Sequence, residues 1–583
     1  MTFQPYATSA EAPPSSPSPY ATSEATRLLC AGVYLDPEFR RRVISELVEH
    51  DERSVPPSLG FDLVQVLAHA LKARAAEALT GAVLAVLWLG FFAASYQPLI
   101  AHPPTAHHSS GYGYGGGYGS SPSQAFGDGV GTAAPYVANF AFLYALVCLL
   151  SWFAKTPAAR DHALYAPAPP AGSPSPLRRA RSGFLAVVAV LAQLGYWALA
   201  VNALRDSYYL GAVFPFALAA VVWVHRLLAA RTVRERLNRL RYPDLPPVEL
   251  PRRGRYRALA AAIEAEQYSP LVVYDSAQPF LGAGVPFQPW SFVLELKRRT
   301  TGRVLPEQRV PPEQPDLTAR AVLDLIVPRL LALRQAAAET SLDRLRDMEV
   351  REVVFLPHGP QRAAVRRDRE AVEQHLRDAV DEGAERRRHF LRIRVGAWDE
   401  QVVLSVLIRV HTQGRLLVLE VVPHVLGPVR HDYELLADAV ALRGVRLRSG
   451  RPAVSAFVAG PAALQALLRY GAGPGGGLGA GADGGTALSA RPTVSLRELA
   501  AESTVSLLQD LDVNRYVRTI QERVIAGVRE ALHSEGYETG RFEQTVVQVL
   551  EGGVYIGAMS GGAVASGAGA SARAGAAGGE GTT

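Results

Sequence analysis

The sequence predicts a four-helix transmembrane unit joined to a cytoplasmic α+β domain with an antiparallel β-meander, flanked by disordered termini. Three observations carry this reading. Four long apolar stretches follow one another at residues 79–101, 135–154, 183–204 and 210–230. The chain after them alternates helix-period and strand-period segments. Both ends are rich in small or polar residues that cannot build a core.

A bilayer crossing needs about 20 apolar residues. In lipid each crossing must satisfy its own backbone, so each stretch reads as a helix. The first, from Ala78 to Ala101, carries no charged side chain. The second ends in Trp152 and Phe153 followed by Lys155, an interfacial pattern. The third holds 22 uncharged residues between Ser182 and Arg205. The fourth ends in His225 and Arg226, and a long cation there reaches the headgroups. Small residues recur at every third position of the third stretch, from Gly183 to Ala198. Each three-residue step drifts about 60° around a helix, so the series suits a central place in a bundle.

Arginine and lysine set the orientation. They crowd the segment before the first span, the loop between the second and third, and the segment after the fourth. The loop at 102–134 has none. Both termini and the large domain are therefore expected on the cytoplasmic side of a cell membrane.

Residues 1–22 read as a disordered tail without the apolar run of a signal peptide. Residues 23–78 hold short cytoplasmic helices. The best marked has Asp36 as N-cap, Pro37 in the first turn, and Phe39, Val43, Ile44 and Leu47 on one face. Pro56 and Pro57 end it, and a helix from about Phe61 runs through Lys72 and Arg74 towards the first span.

The outer loop carries His102, His107 and His108 before GYGYGGGYG at 111–119. Imidazoles suit copper, nickel or zinc. The surrounding Gly/Tyr/Ser supplies no defined geometry, so a linker with incidental histidines is favoured and no metal is assigned. Within the spans Asn139, Gln193 and Asn202 are polar. With no acid or base at mid-depth, interhelical hydrogen bonds are favoured over a transport path.

Residues 231–257 form a basic, Pro-rich connector. The α+β domain follows at 258–470. Its expected elements are a helix at 256–266, strands at 271–274, 291–296 and 352–356, and a helix from Leu317 to Ala338 capped by Asp316 and kinked by Pro328. A charged helix at 367–380 precedes the meander strands, 390–395, 401–411 and 416–424. Thr412-Gln413-Gly414 joins the last two, with Gly at the left-handed position. These strands are apolar on both faces, so both are expected to be covered, one by helices at 432–442 and 461–470. A Gly-rich linker spans 471–492. Residues 493–550 contain an amphipathic helix after Asp512, with Val513, Tyr516, Val517, Ile520, Val524, Val528 and Leu532 on one side. Docking on the domain is favoured for it over lying on the membrane. Residues 542–550 suggest a strand. The Gly/Ala-rich end, 551–583, reads as a disordered tail; its few charges would suit self-association, but its many glycines argue against a tight steric zipper.

Only three of the 60 basic residues are lysines, a skew that looks like GC-rich bacterial codon usage. It is poor ground for nucleic-acid binding, and no nucleic-acid partner is expected. Cys30 and Cys148 fall on different sides of the membrane interface, which excludes a disulfide framework. No GxGxxG follows a strand and opens a helix, and there is no GK[ST], GxSxG, HExxH or CxxC pair, so no cofactor is expected. His424, His431 and Asp432 can be drawn as an acid/base cluster, but lone histidines such as these, His358 and His411 need no role.

The segments LLCAGVYLDPEFRRRV and GFDLVQVLAHAL, with this composition, resemble uncharacterised actinobacterial multi-pass membrane proteins with a cytoplasmic C-terminal domain. The resemblance implies a layout and no activity. The expected function is a membrane-anchored cytoplasmic interaction or regulatory module, with the lipid bilayer, a cytoplasmic protein and a second copy as partners. The alternatives are a transporter or channel subunit, and an enzyme with an unfamiliar site in the cytoplasmic domain.

Overall fold

The computed structural model describes residue 18 and residues 20–101, 140–153, 176–205, 209–252, 254–299, 316–340, 343–359, 362–413, 415–443, 491–502 and 504–550. The tail to residue 17, the outer-loop histidines His102, His107 and His108, Asn139, Gly414, the helix expected at 461–470, the linker to residue 490 and the tail from 551 lie outside these.

Two short helices open the chain, α1 (Glu24–Leu35) and α2 (Pro37–Ile44). Asp36 caps α2 as its sequence demands, its carboxylate accepting from the N–H groups of Glu38 and Phe39. A π-helical turn, Ser45–Glu49, follows. Next comes α3 (Leu63–Ala101), a single helix of 39 residues. At 1.5 Å per residue it is about 58 Å long, more than a bilayer needs. Its first turns, from Leu63 to Ala73, are a root buried in a core shared with α1 and α2. The remaining apolar helices are α4 (Phe140–Phe153), α5 (Pro176–Arg205) and α6 (Leu210–Arg236).

Among the described residues three helical stretches are long and apolar enough to cross a membrane: Leu63–Ser95, Gly183–Arg205 and Leu210–Arg236. The described part of α4 is apolar but only 14 residues long. Trp88, Phe91, Tyr144, Tyr196 and Phe214 form the aromatic centre where these helices meet; the Phe91 and Phe214 rings stack at 3.9 Å. Outward, Leu79, Val86, Leu89, Phe184, Leu191 and Leu194 are exposed, a surface that suits lipid and not water. The central position expected for the third span is not what the structure shows. Of the three candidate spans, the one in α5 buries the smallest share of its residues, and nothing approaches within 4 Å of a Cβ placed at Gly183 or Gly195. Its buried positions include Ala189, Tyr196 and Ala200.

After the apolar helices come α7 (Gly254–Gln267), β1 (Leu271–Tyr274), β2 (Val285–Pro286), β3 (Trp290–Glu295), α8 (Ala319–Thr340), β4 (Glu349–Pro357) and α9 (Arg369–Glu382). Then follow β5 (Arg388–Ala397), β6 (Val402–Gln413), β7 (Leu416–Leu426), α10 (His431–Arg443), α11 (Leu496–Leu499), α12 (Leu507–Ser534) and α13 (Gly540–Leu550). The strands form one mixed sheet in the order β1-β4-β5-β6-β7-β2, with β3 also on β7. β1 runs parallel to β4, and the other pairs are antiparallel.

One face of the sheet is covered by α8 and α12. Leu391, Ile393, Leu404, Val406 and Leu419 share one core with Val322, Ile326, Ile520 and Val524. The apolar side of α12 is thus docked on the domain, from Val513 to Leu532. Gly527 permits the close approach: a Cβ there would lie 2.8 Å from the Ile326 Cα.

Several expected details change. Residues 540–550 are helical, because Phe542 and Val546 lie one turn apart and bury together in the core that includes Phe292 of β3. Asp316 does not cap α8. Thr318 Oγ1 accepts from the Ala321 N–H, and Asp381 of α9 accepts from the Ala319 N–H. The helix at 431–443 forms but does not cover the sheet; Tyr433 and Ala437 bury in a separate core with α1 and the roots of α3 and α6. In the β6–β7 turn Arg415 is left-handed, φ 66°, and the left-handed position expected at Gly414 lies outside the described residues.

Candidate functional site: the junction at the roots of the apolar helices

The second face of the sheet carries charge. Across it, in register, run Glu349 on β4, Arg394 on β5, Ser405 on β6 and His424 on β7. Arg394, Ser405 and His424 are each at most 3% exposed. Such a row is tolerable only if partners arrive from the other side. Tyr20 reaches Arg394 and Glu349 from the N-terminal segment, Glu400 reaches Arg394 from the β5–β6 turn, and His424 packs on Phe280 of the β1–β2 connection. The Tyr20 hydroxyl hydrogen-bonds Glu349, and its ring lies under the Arg394 guanidinium at 4.8 Å. Arg394 Nη1 donates to Glu349 at 2.8 Å, while Nη2 pairs with Glu400.

Glu400 belongs to the β5–β6 turn, where Trp398, Asp399 and Glu400 take φ of 53°, 57° and 67°. Three consecutive non-glycine residues in the left-handed region cost about 1–2 kcal/mol each. The turn is held by its side chains. Asp399 pairs with Arg239, just beyond α6, at 3.3 Å and with Arg344 at 2.8 Å. Glu400 packs over Gly60 and Gly396. At Gly60 (φ 85°) a Cβ would lie 2.5 Å from Glu400 Oε2. Burial raises the Glu400 carboxyl above its ordinary range, with Arg394 pulling the other way and Glu349 adding to the rise.

Gly60 leads directly into the root of α3. Asp62 caps it, accepting from the Val64 and Gln65 N–H groups. Ser23 Oγ donates to the Gly60 carbonyl, Tyr268 to the Phe61 carbonyl, and the Leu63 N–H donates to Gln267. Burial raises the Asp62 carboxyl, and the capping N–H groups oppose it. On the α6 side, Arg27 donates to the Leu237 carbonyl at 2.7 Å. Asp36, already the cap of α2, also accepts from the Tyr433 hydroxyl at 2.9 Å and pairs with Arg430 at 3.3 Å. Arg497, fully buried, donates to the carbonyls of Gln401 and Gly427 and so ties α11 to both ends of the β6–β7 hairpin. Around these ties, Leu63, Val66, Leu67, Val233 and Leu237 share one apolar core with Tyr433, Ala437, Leu496 and Ala500.

A second polar cluster lies on the helix-covered face. Arg320 grips Glu352 through two bonds of 2.7 and 2.8 Å, and His389 Nε2 lies 2.8 Å from the same carboxylate. Burial pushes the Glu352 carboxyl up, but the His389 and Arg320 interactions outweigh it and hold it at about 2. His389 also lines a shallow crevice with Gly383, Arg387, Arg409 and His411. No serine, threonine or cysteine lines it, and Arg387 and Arg409 are paired with Glu382 and Glu420, so it offers no nucleophile.

The residues singled out in the sequence are not brought together. His424 is buried against Phe280, whereas His431 is exposed and pairs with Glu434, and Asp432 pairs with Arg430. Gln193 has a buried Oε1, while Asn202, nine residues on, is exposed on the opposite side of α5. Among the described residues no group of three or more His, Cys, Asp or Glu could hold a metal. The residues that do converge, Tyr20, Glu349, Arg394 and Glu400, are spread over hundreds of positions and share no local signature.

A family model described as an AbeC-like domain matches residues 289–563, from just before β3 to beyond α13. No curated protein and no solved structure matches the chain. Glu349, Arg394, Glu400, Arg430 and Arg497 lie inside the matched stretch, while Tyr20, Asp36, Gly60 and Arg239 precede it, so the junction is the seam between the matched stretch and the rest of the chain.

Proposed function

We propose that this is a multi-pass membrane protein whose C-terminal domain is a cytoplasmic interaction or regulatory module held rigidly to its anchor. In this reading α4 completes the second of four crossings, both termini are cytoplasmic, and β5–β7 form the meander of the soluble domain. The arginine-rich flanks and the loop without Lys or Arg support the orientation. The observation that carries the proposal is the shared core: α3 and α6 continue past their apolar stretches and bury against α10 and α11. A tether alone needs no such core; a module that responds to its anchor does. Transport has weaker support, because Gln193 and Asn202 do not share a face of α5.

Cross-linked native complexes recovered from membranes test the proposal, with a chain lacking residues 231–583 as control. Cytoplasmic proteins recovered only with the intact chain are the expected result. Recovery of nothing but further copies of the chain would remove the interaction module and turn attention to the membrane helices.

A further inference from the structure

We propose that the β5–β6 turn is a strained clasp that locks the roots of two membrane helices to the sheet, and whose release is the conformational step of the module. The inference rests on the anchored-module reading and adds the moving part. Three features point to this turn. Trp398, Asp399 and Glu400 are all left-handed, so the turn stores strain that its contacts must hold. The contacts reach both membrane helices at once: Glu400 with Arg394 closes over Gly60 at the entry to α3, and Asp399 reaches Arg239 at the exit of α6. The same arginine, Arg394, carries the link to Tyr20 and Glu349, so one guanidinium joins the turn, the sheet and the N-terminal segment.

The strain and the ion pair act in opposite directions. The left-handed backbone favours a relaxed turn, and the buried Arg394–Glu400 pair holds the closed one. A displacement of α3 or α6 that lifts Gly60 or Arg239 removes contacts from only one side of that balance. The turn then relaxes, and the edge of the sheet bearing Arg394 and Glu349 becomes accessible. An interaction or regulatory module needs a surface whose exposure its anchor controls, and the Arg394 edge lies directly beside Gly60, at the entry to α3.

The test uses the full chain in phosphatidylcholine/phosphatidylglycerol nanodiscs. Glu400→Gln keeps the shape of the side chain and removes its charge. Amide exchange at residues 60–73 is expected to rise at least tenfold, with α8 and α12 unchanged. Spin labels at Leu240→Cys and Leu416→Cys, positions that are exposed while both native cysteines are buried, should report a second, longer distance. A folded Glu400→Gln protein with unchanged exchange and a single distance overturns the clasp. If that variant does not fold, Trp398→Asn serves instead, because asparagine tolerates left-handed backbone and leaves the ion pairs in place. It should slow exchange at residues 60–73, and no change or acceleration there overturns the proposal. Partner capture by Glu400→Gln separates the two readings: capture with unaltered distances leaves the anchored module standing and removes the clasp.

Discussion

The two faces of the central sheet are built on opposite rules. The face under α8 and α12 is almost wholly apolar, and its covering helices come from the same stretch of chain as its strands. The other face sets buried Arg394, Ser405 and His424 in a row; Arg394 pairs with Glu349 and Glu400 and meets Tyr20 and Gly60 from hundreds of positions away in the chain. Apolar packing is non-directional and tolerates small shifts. A buried ion pair is directional and costly to break on one side only. The first face holds the domain together, and the second registers where the rest of the chain sits on it.

The largest expected effect falls on the charged face. Arg394→Met leaves Glu349 and Glu400 buried without their cation, and a loss of about 3–5 kcal/mol follows. Amide exchange should accelerate in the N-terminal helices and at the root of α3; a protein as protected there as wild type would erase the contrast between the faces. Ile520→Ala probes the other face. Ile520 is fully buried between α8 and the sheet, and truncation should cost about 2–5 kcal/mol. Here the loss should appear within residues 316–550 and spare α1–α3, which exchange by segment would show.

Acid sharpens the comparison by testing the one charged cluster described on the apolar side. The Glu352 carboxyl lies at about 2, below its ordinary value of 4.5. A depressed folded value contributes stability above the unfolded value, and that contribution is lost as pH falls from about 4.5 towards 2. The loss is on the order of 3 kcal/mol. Glu352→Gln should flatten the stability profile in that window, and an unaltered slope would show that the Arg320–Glu352–His389 cluster is not its source. The smallest effect is expected from Asp399→Asn. Its side chain is half exposed, so solvent screens both ion pairs, and the loss should stay below about 1 kcal/mol. A larger loss would mean that the exposed pair with Arg239, and not the buried pair with Arg394, carries the junction.

Much of the layout was legible in the sequence, because it depends on properties that neighbouring residues share. An apolar run declares a membrane helix without knowing its neighbours, and Asp36-Pro37 declares a helix start because a cap acts within one turn. The amphipathic side of α12 was legible for the same reason, down to Leu532. The misread elements are those where a distant partner decided. Residues 540–550 have apolar positions that fit either period, and contact with β3 selected the helix. The cap of α8 comes from Thr318 and from Asp381 on α9, a helix that follows it by dozens of residues. The third span carries small residues that suggest close neighbours, yet Gly195 faces open space.

The sequence by itself determined which segments are apolar enough for a membrane, where helices and strands alternate, and which chemical motifs are absent, since each of these is a local pattern or a count. Only the tertiary structure decided that Tyr20, Gly60, Arg239, Glu349, Arg394 and Glu400 meet in one place. Their convergence depends on strand register and on the left-handed turn at 398–400, and both are set by long-range packing that no window of sequence contains.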